Sequence, residues 1–391
     1  LTPNEPLDVL GGISVEHFLR EYWQKKPLLI RQALPEFESP ITPDEMAGLS
    51  LEEDIESRII IEQEGTQHWK LETGPFSEER FSELEGLNWT LLIQQLDAWL
   101  PEANALKKLF NFIPDWRVDD IMASYAPKGG SVGPHFDFYD VFLVQAYGER
   151  HWRLGQWCDA TTPTRSDTNL SILEEFETSD DWVLKPGDIL YVPPKLAHYG
   201  IAENDCITLS VGFRAPKALE ALSSFTDYLC EKAKVNPFFS DPNRAHQSKS
   251  ALISDNDKAA LQQLLLDSIS DKEMFNQWLG SFLSEPKNNQ ILIPDDDICG
   301  AQDALDALSQ SDVVYKNEGS RFFYTTLDKD VYLSVDGESF KLNNAHFTFV
   351  QHLCVEDEFD AQSLLTYCNM LETQEVIAIL LNKGSLQLES D

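Results

Sequence analysis

Several things are missing from this sequence of 391 residues. Its six cysteines (Cys158, Cys206, Cys230, Cys299, Cys354 and Cys368) form no C-x-x-C pair, which argues against a cysteine-built zinc cluster and against a disulfide framework. Buried free thiols are the expectation. No apolar run approaches the roughly 18 residues of a membrane span; the longest near the C-terminus is Val376 to Leu381. Leu1-Thr2-Pro3-Asn4-Glu5-Pro6 carries neither a basic patch nor an apolar stretch, so nothing marks the chain for export and the cytoplasm is the expected compartment. Positive charge is scarce too, with 30 Lys+Arg against 66 Asp+Glu and a net charge of −36. Such a chain repels nucleic-acid and lipid phosphates and favours a cationic partner such as a basic protein.

Apolar material is plentiful: 42% of residues are hydrophobic, with nine Trp, enough to bury large cores over two or three domains. Up to about residue 115 the pattern reads as mostly helical. Val15, Phe18, Leu19 and Tyr22-Trp23 recur three and four apart before Lys25-Lys26-Pro27 stops the helix. Thr42-Pro43-Asp44-Glu45 combines an N-cap, Pro at the first helical position and Glu three residues on, a capping box. Trp89 to Trp99 and Ala103 to Phe110 read as a further helical pair joined at Pro101.

From Ile121 to Ala215 the texture turns to short β-rich runs punctuated by Gly and Pro: IMASYA, DVFLVQAY, RHWRLG, WVLKPGDILYVP, YGIAE and CITLSVGF. That spacing predicts an all-β sandwich or barrel. Helical texture returns in Leu219 to Lys232 and Lys258 to Ile269, around a loop from Pro237 to Ser250. On periodicity alone the stripe Leu219, Leu222, Phe225 and Leu229 reads as intramolecular core. The last part combines strand-like Arg321 to Thr326, a hairpin over Val331 to Leu342 turning at Asp336-Gly337, and helices Ala361 to Cys368 and Thr373 to Asn382 closed by Gly384. This small α+β module resembles a winged helix. From Gln277 onward it carries six Lys+Arg against twenty Asp+Glu, so protein contact or scaffolding is expected and direct DNA binding is not.

The chemistry concentrates in Gly129-Gly130-Ser131-Val132-Gly133-Pro134-His135-Phe136-Asp137 and, about sixty residues on, Pro186-Gly187-Asp188 through His198. On a strand, residues two apart point the same way, so His135 and Asp137 project together while Phe136 faces away. If His198 comes from a facing strand, the three fill one triangular face of an octahedral metal and leave three positions open, the two-His-one-carboxylate arrangement of non-haem Fe(II) oxygenases. The vacant positions admit a bidentate oxo-acid cosubstrate and O₂. A cosubstrate with two carboxylates also needs a cation for its far end. Arg150, on the strand after that of Asp137, is the candidate, because a guanidinium clamps a carboxylate bidentately and keeps its charge.

The segment Glu21-Tyr22-Trp23-Gln24-Lys25-Lys26-Pro27-Leu28-Leu29-Ile30-Arg31, then GGSVGPHFDFYDVFLVQAYGERHWRLG, PGDILYVPPKLAHYG and Ser210-Val211-Gly212-Phe213-Arg214-Ala215-Pro216, resembles the JmjC-type ribosomal oxygenases, in particular their bacterial arginine-hydroxylase branch. The likeness covers the whole chain. It implies an α+β protein with a double-stranded β-helix (JmjC/cupin) catalytic domain with a helical N-terminal part over residues 1–216. A helical dimerisation segment follows over 217–276, making a homodimer, and a winged-helix-like domain over 277–391. It implies His135, Asp137 and His198 as Fe(II) ligands and Arg150 as partner of the 2-oxoglutarate tail carboxylate. Ser124 is the nearest match for a hydroxyl beside that carboxylate, with Tyr125 on the opposite face as the other possibility. The implied reaction uses O₂ to hydroxylate an arginine β-carbon of a basic large-subunit ribosomal protein, number sixteen, while 2-oxoglutarate becomes succinate.

The acidity then has a use, since carboxylates around a pocket capture a cationic target quickly. Asp140 and Glu149 are the nearby acidic candidates, and Tyr139 and Tyr147 the rings that could stack on a guanidinium. His151 and Trp152 read as packing residues. His17, His68, His246, His346 and His352 lack a paired carboxylate in a comparable setting and are left out of the metal site. Asp295-Asp296-Asp297 and Glu356-Asp357-Glu358 do not fit a calcium loop and read as solvated. Two alternatives stay open: a histidine hydroxylase or a demethylase acting on another basic protein, and a non-enzymatic cupin-like binding protein.

Overall fold

The β-rich runs after residue 117 become two antiparallel sheets in the computed structural model, which describes residues 5–63, 69–287, 292, 294, 298 and 300–389. His68, Cys299 and the acidic run 295–297 lie outside the described residues. The chain divides into two compact units, Leu1–Ala215 and Pro216–Asp391.

In the first unit, an eight-stranded sheet runs in the order Leu28–Ile30, Ile189–Val192, Val141–Tyr147, Cys206–Phe213, Val118–Ala126, Asn88–Ile93, Ser57–Glu62 and Trp69–Thr73. A three-stranded sheet, Asp180–Leu184, Arg150–Trp157 and Leu196–Ala202, faces it. Val141, Leu143, Leu190 and Val192 of the larger sheet share one apolar core with Trp152, Leu154, Leu184 and Leu196 of the smaller, which closes the double-stranded β-helix. Because side chains alternate along a strand, the larger sheet has an outer face as well. There Ile59, Ile121, Phe142, Tyr191 and Leu209 pack beneath Phe18, Met46, Leu106 and Phe110. The helix Pro43–Leu49 starts with the predicted capping box, Thr42 Oγ1 accepting from the Glu45 amide at 3.3 Å while Glu45 accepts from the Thr42 amide at 2.8 Å.

The mostly helical reading of the first 115 residues fails at the short pair Pro6–Leu7 and Ile13–Ser14, at Leu28–Ile30 and at three longer strands. Ser57–Glu62, Trp69–Thr73 and Asn88–Ile93 extend the large sheet. Thr90, Leu91, Leu92 and Ile93 are all buried, so the run shows no period of two, and a short continuous apolar run is equally readable as helix.

The second unit contains the helices Ala218–Lys232, Asp255–Ile269, Lys272–Ser284, Ala301–Gln310, Phe347–Val355, Ala361–Tyr367 and Leu371–Asn382, with two three-stranded sheets. The hairpin Asp330–Val335/Glu338–Asn343 turns where expected. Asp336 and Gly337 have φ of 47° and 87°, as a type I′ turn requires at both central residues. In the helix Ala218–Lys232, Phe225 is buried against Phe275 and Trp278, whereas Leu219 and Leu222 are 80% and 50% exposed. The core reading of that stripe therefore holds for Phe225 and fails for those two leucines. The described cysteines are free thiols; Cys158, Cys206 and Cys368 are buried as expected, but Cys230 is exposed. Among the described residues no helix is long and apolar enough to cross a membrane.

Candidate metal centre

The approach to His135 is shaped by glycine. Gly133 has φ +82°, and a Cβ on Gly130 would stand 2.1 Å from the Trp89 carbonyl oxygen, so only glycine lets the loop lie this close to its neighbour strand. His135 then bridges to His198, each backbone amide donating to the other's carbonyl at 3.1 and 2.8 Å. This brings residues of distant segments side by side. The ligand atoms of His135, Asp137 and His198 all lie within 4.8 Å of one another, and the two rings are 4.3 Å apart.

Each imidazole is oriented by its own backbone. His135 Nδ1 lies 2.9 Å from the Gly133 carbonyl oxygen and His198 Nδ1 lies 3.0 Å from that of Leu196. A carbonyl only accepts, so both Nδ1 atoms carry the proton and both Nε2 atoms offer a lone pair. His198 Nε2 is 3.6 Å from Asp137 Oδ2. Burial, and then the neighbouring His135, lower the His198 pKa to about 4, so the ring is neutral at physiological pH, the form a metal needs. Two neutral imidazoles and one carboxylate fit a divalent first-row ion and would leave its other flank open.

Deeper in the barrel, Arg150 is 2% exposed, and burial pushes its pKa below the usual arginine range without neutralising it. Its Nη1 donates to Ser124 Oγ at 2.9 Å and lies 3.5 Å from Thr208 Oγ1, while Nε has no partner. Register explains the polar floor. Thr208 pairs with Ser124 on one side and Gln145 on the other, so three polar side chains stand abreast on three adjacent strands. Gln145 Nε2 donates to the Tyr147 carbonyl at 2.9 Å, which leaves its Oε1 to accept from Thr208 Oγ1 at 3.1 Å. Nowhere among the described residues does an acid pair with Arg150. A buried guanidinium whose hydrogen bonds go only to hydroxyls keeps its charge uncompensated by an acid, and an anion would complete it.

Ser124 thus lies beside Arg150, and Tyr125, on the opposite face, packs against Trp89 at 5.5 Å. Gln145 and Thr208 were not marked from sequence, although a polar residue inside LVQAY and inside ITLSV was a usable signal. Three of the substrate-side candidates need correction. Asp140 is fully buried, accepting from Tyr191 Oη at 2.6 Å and Gln24 Nε2 at 2.8 Å, which makes it a packing node. Tyr147 and Glu149 sit at the Arg150 end of the strand Val141–Tyr147, a full strand length from Tyr139, because proximity in sequence is lost when a strand crosses the barrel. Tyr139 itself is 42% exposed, yet its hydroxyl is sunk against the Asp137 carboxylate. That burial, together with Asp137 and the more distant Asp119 and Asp120, raises its pKa.

Comparison with known proteins agrees with this geometry. Residues 105–221 match the JmjC domain family, and residues 260–387 match the ROXA-like winged helix. The chain is 36% identical over 380 residues to a probable ribosomal oxygenase of Haemophilus influenzae, covering 94% of this chain and 93% of that one. It is 34% identical over 367 residues to the ribosomal protein uL16 3-hydroxylase of Escherichia coli, covering 94% and 95%. Among solved structures, the Escherichia coli ribosomal oxygenase YcfD in complex with cobalt and 2-oxoglutarate superposes with a TM-score of 0.83 at 32% identity, over 96% of this chain and 98% of that one.

Proposed function

This chain belongs to the ribosomal oxygenases of the JmjC class, and from that premise we propose that it is a Fe(II)- and 2-oxoglutarate-dependent hydroxylase of an arginine β-carbon in ribosomal protein uL16. The observation that carries the reading is the acid-free, buried Arg150 on the same inner face as His198. A fixed cation at one end and a three-donor metal triangle at the other suit a dicarboxylate with an oxo-acid head. In this reading His135, Asp137 and His198 hold the iron, Arg150 takes the far carboxylate, and Ser124 and Thr208 keep Arg150 aimed. Bound iron couples activation of O₂ to oxidative decarboxylation of 2-oxoglutarate, giving succinate and carbon dioxide. The chain supplies the rest: imidazole and carboxylate donors, a buried polar floor and an orienting guanidinium.

At the metal end, the exposed ring of Tyr139 offers a face for the substrate guanidinium. The net charge of −36 attracts a basic ribosomal protein, and a ribosomal substrate makes the cytoplasm the working compartment. We read residues 217–276 as the dimerisation segment, since the helix Asp255–Ile269 has no buried residue although Leu261, Leu265 and Leu266 lie on it. The acidic winged-helix domain serves protein contact or scaffolding and leaves DNA alone.

The deciding experiment incubates the iron-loaded protein with 2-oxoglutarate and purified ribosomal proteins. A gain of one oxygen atom on a uL16 arginine, coupled to succinate and absent in Asp137→Ala, supports the reading. A gain on histidine, loss of a methyl group, or decarboxylation that survives in Asp137→Ala overturns it.

A further inference from the structure

Trp152 has no task in the reading above, and its surroundings supply one. In the small sheet Leu154 stands opposite His198, Trp152 opposite Gly200 and Arg150 opposite Ala202. Residues two apart share a face, so Trp152 lies midway between the metal histidine and the buried cation, on the inner side. Its ring is 6.0 Å from that of His198 and 5.3 Å from Arg150 Cζ. A Cβ on Gly200 would come within 2.8 Å of the indole, so the bare backbone there is what lets the ring lie down against the sheet. Trp152 is 4% exposed and its Nε1 has no hydrogen-bond partner. An indole nitrogen can only donate, and buried donors are normally met. Trp278, by contrast, donates from Nε1 to Ser224 Oγ at 3.0 Å.

We propose that Trp152 is a cosubstrate-binding residue. Its ring walls the carbon chain of a dicarboxylate running from His198 to Arg150, and its Nε1–H donates to the carboxylate that Arg150 holds. Arg150, 5.3 Å over the same ring, is steadied by cation–π attraction, so one side chain both positions the cation and shares its anion. This inference rests on the cosubstrate reading given above and adds a donor to it.

The test is calorimetric titration of the Zn(II)-loaded protein, which binds without turning over. The probes are 2-oxoglutarate and 2-oxobutanoate, which lacks the far carboxylate. Trp152→Phe keeps an aromatic ring and removes the N–H. It should weaken 2-oxoglutarate about tenfold, as expected for a lost bond to a charged group, and leave 2-oxobutanoate within about twofold. Equal affinity for 2-oxoglutarate in both proteins, or equal losses on both probes, overturns the assignment and leaves Trp152 as packing. If the unsubstituted protein binds no 2-oxoglutarate, the cosubstrate reading falls and this one with it. Should Trp152→Phe not fold, nitrogen-15 spectra of the unsubstituted protein decide instead. One of its nine indole N–H signals should move downfield on addition of 2-oxoglutarate and not of 2-oxobutanoate, and nine unmoved signals overturn the proposal.

Discussion

The barrel interior and the helix Asp255–Ile269 break the usual partition of charge and apolar surface in opposite senses. Arg150 is a charge kept from water at 2% exposure, with no acid beside it among the described residues. Along the helix, Leu261, Leu265 and Leu266 are 46%, 68% and 45% exposed, and no residue of it is buried. Burying an unpaired charge and exposing a row of leucines both raise the free energy of the isolated chain. In each case the partner proposed above has the complementary chemistry: a small anion in the first, an apolar face in the second. The outer face of the large sheet, with Phe142 and Tyr191 buried under helices, shows the ordinary partition.

The largest expected effect tests the charged side of this contrast. Arg150→Met keeps an unbranched, flexible stem and removes the charge. Calorimetry should show 2-oxoglutarate affinity falling by at least about 100-fold, the roughly 3 kcal/mol or more that breaking a buried ion pair costs. The ligand-free protein should unfold at a higher urea concentration, because an uncompensated buried charge has gone. Lower stability with unchanged affinity would make Arg150 a structural arginine and dissolve the comparison.

His198 sharpens the same point, since it shares the inner face of the small sheet but can shed its proton. Its pKa of about 4 in the folded chain lies below the 6.5 of a free histidine. Between those values the unfolded chain takes up a proton that the folded chain refuses, so the metal-free protein loses stability as pH falls through this window and loses no more from this source below it. The full amount is roughly 3 kcal/mol at about 1.4 kcal/mol per pKa unit. Many carboxylates titrate nearby, so the quantity to measure is the difference between the unsubstituted protein and His198→Asn in urea unfolding at pH 7, 5.5 and 4.5. A difference independent of pH would show that His198 is solvated.

How much of this was legible in the sequence follows from where the information resides. The strands after Ile121 could be read because each is bounded by Gly or Pro, and His135, Asp137 and His198 because a His-x-Asp pair and a Pro-Gly-Asp turn are local patterns. The place of Arg150 on the strand after that of Asp137 could be read in the same way. Asn88–Ile93 could not, because a strand buried on both faces has lost its alternation. Nor could the row Ser124, Thr208 and Gln145, or the position of Trp152 opposite Gly200, since register between strands is set by pairing across the fold. The same lack of register misplaced Tyr147 and Glu149.

The apolar side of the contrast is broken most directly at Leu265. Leu265→Glu places a charge where the exposed row is widest and should weaken self-association by on the order of 2 kcal/mol, about thirty-fold, for the lost burial of one leucine. Sedimentation velocity over a dilution series reads it. The affinity for 2-oxoglutarate should not move, because the barrel is complete within Leu1–Ala215. A chain that sediments as a monomer before substitution would remove the second half of the comparison and leave the first standing.

The smallest effect belongs to Ser124. Its Oγ accepts from Arg150 Nη1 at 2.9 Å and donates to the Thr208 carbonyl at 3.3 Å, so the hydroxyl spends its proton on the backbone and offers a lone pair to the cation. Ser124→Ala removes one acceptor and leaves the charge, with Thr208 still 3.5 Å away. The guanidinium should lose orientation and keep its attraction. Affinity for 2-oxoglutarate should drop by about 1 kcal/mol, roughly five-fold, far short of the Arg150→Met loss. Stability should fall slightly, the opposite sign to Arg150→Met, because here a buried charge is left with one partner fewer. Opposite signs in stability with the same sign in affinity are what distinguish a charge waiting for its anion from a hydrogen-bond network that happens to contain an arginine.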